Sequence, residues 1–269
     1  MTIVLVILAL LVLLWILATR CRGNHPTMES LRGWSYAHRG LHGEGVPENS
    51  MKAFRLALEA GYGIELDIHL LKDGNLAVIH DSLLVRTTGA EGHIEDLTTE
   101  DLKKYHLEGT EETIPQFKEV LDLFDGKAPL IVELKAERGN HAALTETAVK
   151  MLEAYDGVYC IESFDPRCIL WLKKHKPEII RGQLSQNFLK KNENLSTILR
   201  FVLTHLLTGF LTAPDFIAYN FNHRKDTLSN AICQKLWGAQ GVSWTLRTKE
   251  EYDQAVKEGL LPIFEYFRP

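Results

Sequence analysis

The chain has 269 residues, of which 45% are hydrophobic and 24% charged, a composition typical of a globular protein with a large core. A formal net charge of -5 and the lack of any dense basic run argue against a nucleic-acid partner, and no feature indicates a protein partner. Cys160, Cys168 and Cys233 have no C-x-x-C spacing, so we predict reduced core residues without a disulfide or metal role.

The sequence MTIVLVILALLVLLWILAT, over residues 1–19, contains no charged side chain. About 20 apolar residues cross a bilayer core as a helix, and no basic residue precedes this run as it would in a cleaved signal peptide. We therefore predict a single-pass transmembrane anchor over 1–19 in the cell membrane, followed by a polar connector over 20–34. Arg20 and Arg22 follow the apolar run, so the positive-inside rule favours a cytoplasmic body.

Residues 35–269 alternate between short β-rich runs and segments with helical periodicity. Apolar side chains recur at helical spacing in most of the intervening segments, as in residues 50–61, where Ser50 can cap the start. The β-rich runs lie at 36–40, 63–69, 130–135, 158–164, 179–185, 216–222, 241–246 and 261–267. Eight strands alternating with helices predict an α/β fold, a (β/α)8 TIM barrel that forms one domain over 35–269.

A ninth apolar run, at 75–81, follows the Asp73-Gly74 turn directly after the second strand. We interpret residues 71–115 as a small insertion between the second strand and its helix. The segment 195–212 is apolar almost all round a helix. It is interpreted as a barrel helix with a broad buried face, in slight preference to a helix that rests on a membrane.

Polar side chains collect at the carboxyl ends of the predicted strands, where a barrel of this type places its active site. Residues two apart on a strand point to the same side, so each pair on one strand shares a face. The side chains concerned are His38 and Arg39 on the first strand, Glu65 and Asp67 on the second, His80 after the hairpin, Glu133 and Lys135 on the third, Glu162 and Ser163 on the fourth, Asn220 on the sixth and Trp244 on the seventh.

Burying several charges at one end of a barrel is costly unless they pair with one another or bind a cation. Glu65, Asp67 and Glu133 offer hard oxygen ligands, which suit Mg²⁺ or Ca²⁺ better than zinc. Two histidines can transfer protons near neutral pH, and the arginine and lysine can contact an anion such as phosphate. His69 faces the same way, but its position near the turn favours a solvent-facing or supporting residue over a ligand.

The same residues form a series of short motifs that resembles the glycerophosphodiester phosphodiesterases, in a membrane-anchored member of bacterial type. Order and spacing agree over roughly residues 35–170, and the joint match is highly specific although no single motif is. The motifs are His38-Arg39-Gly40, Pro47-Glu48-Asn49-Ser50, Glu65-x-Asp67, Lys72-Asp73-Gly74, His80-Asp81, Arg86-x-Thr88, Ile114-Pro115 and Glu133-x-Lys135, with Ser163-Phe164 and Trp244-Thr245 further on.

The resemblance implies a TIM barrel that hydrolyses glycerophosphodiesters to an alcohol and glycerol phosphate with a divalent cation, Mg²⁺ or Ca²⁺, with Mn²⁺ as a further candidate. It implies three metal ligands, an acid–base pair and several contacts to the small-molecule substrate. By that resemblance Glu65, Asp67 and Glu133 would be ligands, His38 and His80 the acid–base pair, Arg39, Lys135 and Trp244 substrate contacts, and Glu48 a further residue of the site.

The last two strands depart from the family pattern. The chain ends in GLLPIFEYFRP where the family carries a Gly-Val-Asp-Gly-like strand and Thr-Asp before a proline, and Leu246-Arg247 stands where an Asn is more usual. The alternatives are a lysophospholipase D-like or sphingomyelinase D-like enzyme that cleaves lipid head groups, or a catalytically inactive lipid-binding barrel. The complete set of two histidines and three carboxylates favours an enzyme.

Overall fold

A computed structural model describes residues 1–190 and 195–269. The strands are β1 (Tyr36–His38), β2 (Gly63–Leu70), β3 (Leu76–Val78), β4 (Leu130–Leu134), β5 (Tyr159–Ser163), β6 (Arg181–Ser185), β7 (Phe216–Asn220), β8 (Gln240–Leu246) and β9 (Leu261–Phe264). The helices are α1 (Thr2–Ala18), α2 (Met51–Glu59), α3 (Val85–Thr88), α4 (Phe117–Phe124), α5 (His141–Glu153), α6 (Pro166–His175), α7 (Thr197–Thr204), α8 (Gly209–Thr212), α9 (Leu228–Lys235) and α10 (Lys249–Lys257).

Eight parallel strands close into a barrel in the order β1, β2, β4, β5, β6, β7, β8, β9, with β9 returning to β1. β3 pairs with β2 in antiparallel orientation and lies outside this ring. The barrel and its surrounding helices confirm the predicted (β/α)8 architecture. The helix predicted over residues 50–61 is α2, and the Ser50 side chain accepts a hydrogen bond from the Ala53 backbone N–H at its start.

Apolar side chains fill the space between the strands and the outer helices and also the amino-terminal half of the barrel interior. Tyr36, Ile131, Cys160 and Phe216 lie inside the ring, closed from below by Met28 and its neighbours. The cysteines are free and buried, as predicted. Because this half of the interior is packed with apolar groups, the polar residues of the strands concentrate at the carboxyl ends.

Residues 71–115 contain β3, α3 and several single-turn helices around a small apolar cluster of their own. The cluster consists of Leu71, Ala77, Ile79, Leu84, Ile94, Leu102, Leu107 and Ile114. The segment therefore packs as a compact unit against the side of β2.

The first helix, α1, has 17 residues, and its large apolar side chains from Ile3 to Leu14 are each 51% or more exposed. Among the described residues no helix is long and apolar enough to cross a membrane, so the transmembrane helix predicted over 1–19 is not supported.

The segment 195–212 forms two short helices, α7 and α8, instead of one. Leu206 has a left-handed backbone conformation, with φ of 55°, and interrupts the helical path between them. In α7 only Thr204 is buried, whereas Ile198 and Phe201 are 79% and 48% exposed. The predicted broad buried face is therefore wrong, because much of the apolar stripe faces solvent.

Candidate active site

Four carboxylates line the inside of the barrel on three adjacent strands. Glu65 and Asp67 alternate along β2, and the strand register places Asp67 beside Glu133 on β4 and Glu133 beside Glu162 on β5. All four side chains are buried. The period-two geometry of the strands thus brings together the three acidic residues predicted from the sequence and adds a fourth, Glu162.

The three predicted ligands form a cluster that fits a hard divalent cation. One carboxylate oxygen from each of Glu65, Asp67 and Glu133 lies within 4.8 Å of the others. Glu162 Oε2, on the neighbouring strand, is buried without a hydrogen-bond partner among the described residues. A convergent set of buried oxygen donors is the environment that Mg²⁺ or Ca²⁺ prefers.

Nearby cationic side chains offset only part of the charge of these carboxyl groups, so their pKa values shift in different directions. Burial and repulsion from Asp67 and Glu133 raise the pKa of Glu65 well above its usual value. Burial also raises the pKa of Glu133 to about 7, although Lys135 opposes that shift. Burial would raise the pKa of Asp67 too, but Lys135, His80 and Arg39 hold it well below its usual value.

Lys135 and Arg39 supply the positive charge on this side of the cavity. Lys135 Nζ lies 3.0 Å from Asp67 Oδ1 and 2.6 Å from Glu133 Oε1. Arg39 Nε lies 3.4 Å from Asp67 Oδ2, and its NH1 donates to Glu48 Oε1 at 2.9 Å. Both cations are half-buried at the edge of the carboxylate cluster, with side chains 15% and 13% exposed, and could contact an anionic group there.

A tight backbone turn after β1 holds Arg39 in place. Arg39 and Gly40 both have positive φ, at 54° and 80°, and the Arg39 backbone N–H donates to Glu65 Oε2 at 3.2 Å. A Cβ atom at Gly40 would lie 2.8 Å from the Ala53 Cβ, so only glycine fits there. Asn49, in the next turn, donates through its side-chain amide to Asp67 Oδ2 at 2.8 Å.

His38 is oriented by a carboxylate from the opposite end of the sequence. Its Nδ1 lies 2.7 Å from Glu265 Oε2, directly after β9, and its Nε2 lies 3.8 Å from Glu65 Oε2. Burial lowers the pKa of His38 to about 4 against the opposing effect of Glu265. The imidazole is therefore neutral at pH 7, and it donates from Nδ1 while Nε2 keeps its lone pair on the side of the carboxylate cluster.

Glu265 belongs to a small network with His42 and Arg247. Its Oε1 lies 2.5 Å from Arg247 NH2, and its Oε2 lies 3.6 Å from His42 Nε2. His38, His42 and Glu265 could also hold a metal ion. Since the arginine already balances the charge of Glu265, we interpret the group as a support for His38.

His80 reaches the cavity from the insertion rather than from a barrel strand. Its Nδ1 lies 2.6 Å from Asp81 Oδ1, and burial lowers its pKa while Asp67 opposes that shift. His69 is buried beneath it, with Nε2 3.2 Å from the His80 backbone oxygen and Nδ1 2.6 Å from Glu95. His69 is thus a supporting residue, which is one of the two roles predicted for it, and it does not face solvent.

A chain of ion pairs joins the insertion to Arg39 at the edge of the cavity. Arg86 pairs with Asp81, and its NH2 donates to Glu48 Oε1 at 2.6 Å. The same Glu48 oxygen accepts from Arg39. Glu48 therefore bridges two arginines, one in the turn after β1 and one in the insertion.

The far side of the cavity is apolar. The Trp244 ring meets the Phe164 ring edge-on with centroids 5.6 Å apart, and the Trp244 Nε1 donates to the Ala218 backbone oxygen at 3.1 Å. The full lining comprises His38, Arg39, Glu65, His80, Glu133, Glu162, Phe164, Leu184, Trp244 and Ile263. The cavity therefore has a charged wall and an apolar wall that face each other.

Sequence reasoning gave no role to two acidic residues, Glu162 in the cavity and Glu265 behind His38. Glu265 directly follows β9. Its position at the carboxyl end of a barrel strand was the signal that could have identified it. Asp81, Arg86 and Asn49 lie in motifs singled out from the sequence, but their contacts became visible only in the folded chain.

The comparisons with known proteins agree with this geometry. Residues 38–264 match the model of the glycerophosphoryl diester phosphodiesterase family. A glycerophosphodiester phosphodiesterase from Caldanaerobacter subterraneus subsp. tengcongensis is 31% identical over 234 residues, which are 83% of this chain and 90% of that protein. A lysophospholipase D from Rattus norvegicus is 33% identical over 132 residues, 44% of this chain and 40% of that protein.

Among solved structures, the fold is similar to that of a phosphodiesterase from Oleispira antarctica in complex with the product sn-glycerol-3-phosphate. The TM-score is 0.70 at 23% identity, with 86% of this chain and 92% of that chain covered. The family model spans most of the residues that form the barrel and all of the residues predicted for its site. The chain belongs to the glycerophosphoryl diester phosphodiesterase family of phosphoric diester hydrolases.

Proposed function

We propose that the protein hydrolyses glycerophosphodiesters to an alcohol and glycerol phosphate with a divalent cation held by Glu65, Asp67 and Glu133. The strongest support is the convergence of these three carboxylates within 4.8 Å in a cavity lined by two imidazoles. His38 and His80 each have Nδ1 bound to a carboxylate, which fixes the ring and leaves Nε2 for proton transfer.

When bound, the cation supplies charge neutralisation at the phosphate and polarisation of its oxygens. Arg39 and Lys135 add N–H donors at the edge of the same cluster. One imidazole accepts the proton of the incoming oxygen as its bond to phosphorus forms. The other donates a proton to the leaving alkoxide as the second phosphorus–oxygen bond breaks, so charge does not accumulate on either oxygen.

The function is tested by incubating the purified protein with glycerophosphocholine and glycerophosphoethanolamine and measuring released glycerol phosphate. EDTA should abolish release, and Mg²⁺, Ca²⁺ or Mn²⁺ should restore it. Full activity in chelator would contradict the cation site. No hydrolysis with any of the three cations would favour the inactive lipid-binding barrel.

Activity on a substrate with a better leaving group can show which histidine is the general acid and which is the general base. A p-nitrophenyl phosphodiester of glycerol needs no protonation as its phenolate departs, because a phenolate is a far weaker base than an alkoxide. The alanine variant of the general acid should therefore regain activity on this substrate, whereas the variant of the general base should not. Equal rescue of His38→Ala and His80→Ala would contradict separate acid and base roles.

A second candidate substrate class consists of diesters that carry an acyl chain, cleaved in the manner of a lysophospholipase D or a sphingomyelinase D. The apolar wall formed by Phe164, Trp244 and their neighbours favours it, since a hydrocarbon chain could lie there. The kcat/KM for lysophosphatidylcholine, compared with that for glycerophosphocholine, distinguishes the two classes. Trp244→Ala should reduce only the first value if the acyl chain contacts this wall.

We also propose a location at the cell membrane through residues 1–19, with the barrel in the cytoplasm. The exposed apolar surface of α1 supports membrane attachment, and Arg20 after it favours the cytoplasmic side. The protein should stay in the membrane fraction through a carbonate wash, and release into the supernatant would contradict the attachment. A reporter that is active only after export, fused after Pro269, should be inactive. If it is active, the barrel lies on the outer side of the membrane.

A further inference from the structure

The end of α1 packs along α9 and runs in the same direction. Trp15 Nε1 donates to Ser229 Oγ at 3.0 Å, near the first residue of α9. Four residues later, the Thr19 backbone oxygen accepts from Cys233 Sγ at 3.4 Å. Equal spacing on both helices means that the two axes are parallel over this turn.

The direction of α9 fixes the direction of α1 relative to the barrel. α9 follows β7, so its first residues lie at the carboxyl ends of the strands, where the active site is. Beyond α1 the chain continues to the opposite end, where the Arg22 backbone N–H donates to the Pro214 oxygen and Arg22 NH2 lies 2.7 Å from Asp215, just before β7.

Residues 1–14 therefore project past the end of the barrel that carries the active site. At about 1.5 Å per residue they reach roughly 20 Å beyond the turn held by Trp15. The exposures agree, because Trp15, Ile16 and Thr19 are covered by the barrel whereas the preceding apolar side chains are not.

The projecting part of α1 fits a lipid phase better than a protein groove. Its large apolar side chains are 51% or more exposed on every side of the helix, and it carries no charged side chain. A protein groove covers one stripe of a helix and leaves the others in water. A helix that is apolar all round is stable when its whole circumference is buried, as it is in lipid.

Further exposed apolar side chains lie in segments at the same end of the barrel as the opening of the cavity. Leu83 and Val85 follow His80 and Asp81 in the insertion and are 52% and 54% exposed. α7 lies beside the apolar wall, since Phe188, bound to its last turn, contacts Phe164. We define the apolar rim as Leu83, Val85, Ile198, Phe201 and Leu228, which are 48% to 79% exposed.

We propose that α1 and the apolar rim form one lipid-facing surface that turns the opening of the active site toward the bilayer. The proposal requires insertion of α1 and not a crossing of the membrane. For substrate choice it rests on the proposed function, because phosphodiesters with an acyl chain would then reach the charged wall directly from the lipid surface.

A matched pair of cysteine variants tests the orientation. Val85 lies on the apolar rim at 54% exposure, and Val256 lies at the end of α10, at the opposite end of the barrel, at 49% exposure. Val85→Cys and Val256→Cys are labelled with an environment-sensitive fluorophore, since the native cysteines are buried. In phosphatidylcholine vesicles with brominated acyl chains, the label at position 85 should be quenched and the label at 256 should not.

The double variant Leu8→Lys, Leu11→Lys tests whether α1 provides the attachment. It should lose flotation with the vesicles and lose quenching at position 85, because two charged side chains oppose burial in lipid. Hydrolysis of soluble glycerophosphocholine should stay unchanged, whereas kcat/KM for lysophosphatidylcholine in vesicles should fall several-fold. A wild-type protein that floats but hydrolyses neither substrate would contradict the proposed function and leave the orientation supported.

Two results would overturn the proposal itself. Wild-type protein that fails to float with vesicles would show that the exposed surface does not bind lipid. Flotation with equal quenching at positions 85 and 256, or with quenching at 256 alone, would show that α1 inserts while the opening of the site faces elsewhere.

Discussion

The two halves of the barrel contribute different chemistry to one cavity. Strands β1, β2 and β4, with the insertion, carry the ligands, the cations and both histidines, whereas β5 to β9 carry mainly the apolar wall. In the first half the interacting groups are nearer in sequence, with Lys135 two positions from Glu133 and 68 positions from Asp67. In the second half Glu265 acts on His38 from 227 positions away. In the proposed function the first half thus provides the reacting groups, and the second supports and encloses them.

The largest effect should come from the carboxylate cluster of the first half. Glu65→Gln should reduce hydrolysis to the level seen in EDTA, because one of three cation ligands is lost. The same change two strands further along the ring, Glu162→Gln on β5, is the matched control and should keep most of the activity. Isothermal titration calorimetry should show weakened Mn²⁺ binding only in Glu65→Gln. An equal loss of Mn²⁺ affinity in both variants would contradict a ligand role that is confined to the first half.

The histidines should follow in size of effect. His38→Ala and His80→Ala should each lower kcat by about 10²–10⁴-fold, since each removes one proton-transfer group. The double variant should lose little more than the worse single variant, because the two act as a unit. Circular dichroism and Mn²⁺ affinity serve as controls for the fold. A single variant within a few fold of wild type would assign that histidine a structural role.

The contrast between the halves also explains how far the sequence could be interpreted. The alternation of Glu65 with Asp67 can be read directly, because a strand places such pairs on one face. The register between β2 and β4, which brings Asp67 beside Glu133, follows from the regular closure of a parallel barrel. The eight strands were predictable because β-rich runs alternate regularly with segments of helical periodicity.

The position of Glu265 after a barrel strand could be read from the sequence, but its partners could not, because they depend on the contact between β9 and β1 and on the reach of Arg247. Both residues stand where the sequence departs from the family pattern, and in the folded chain they pair with each other. The break at Leu206 was equally hidden, since apolar periodicity reports a helix but not a local change of backbone conformation. Long-range partners and single unusual backbone angles leave no periodic signal in a sequence.

An intermediate effect is expected from the carboxylates behind the two histidines. Glu265→Gln and Asp81→Asn should each lower kcat roughly 10–100-fold, because each weakens the hydrogen bond that orients an imidazole. KM should change little, since neither carboxylate lines the cavity. Steady-state kinetics with Glu265→Asp as a conservative control test this, and a rise in KM with unchanged kcat would indicate substrate contact instead.

The smallest effect, and one on stability instead of rate, should come from Glu162. Burial and the charge of Glu133 raise the pKa of Glu162 well above its usual value. A carboxyl group with a raised pKa in the folded state lowers stability progressively as pH rises above its unfolded value near 4. Glu162→Gln should therefore raise the Tm of the chelated protein by a few degrees at pH 7, and the gain should vanish near pH 4. A gain that is independent of pH would contradict the electrostatic cause.

The insertion has its own apolar cluster and delivers His80, so heat could separate catalysis from global unfolding. Loss of packing among Leu84, Ile94 and Leu107 would withdraw the imidazole and Arg86 together while the eight-stranded ring persists. Activity would then disappear at a lower temperature than the barrel's circular dichroism signal. Amide hydrogens of residues 76–78 would exchange sooner than those of β4. The temperature at which activity is lost would then be set by unfolding of the insertion and not by unfolding of the whole domain.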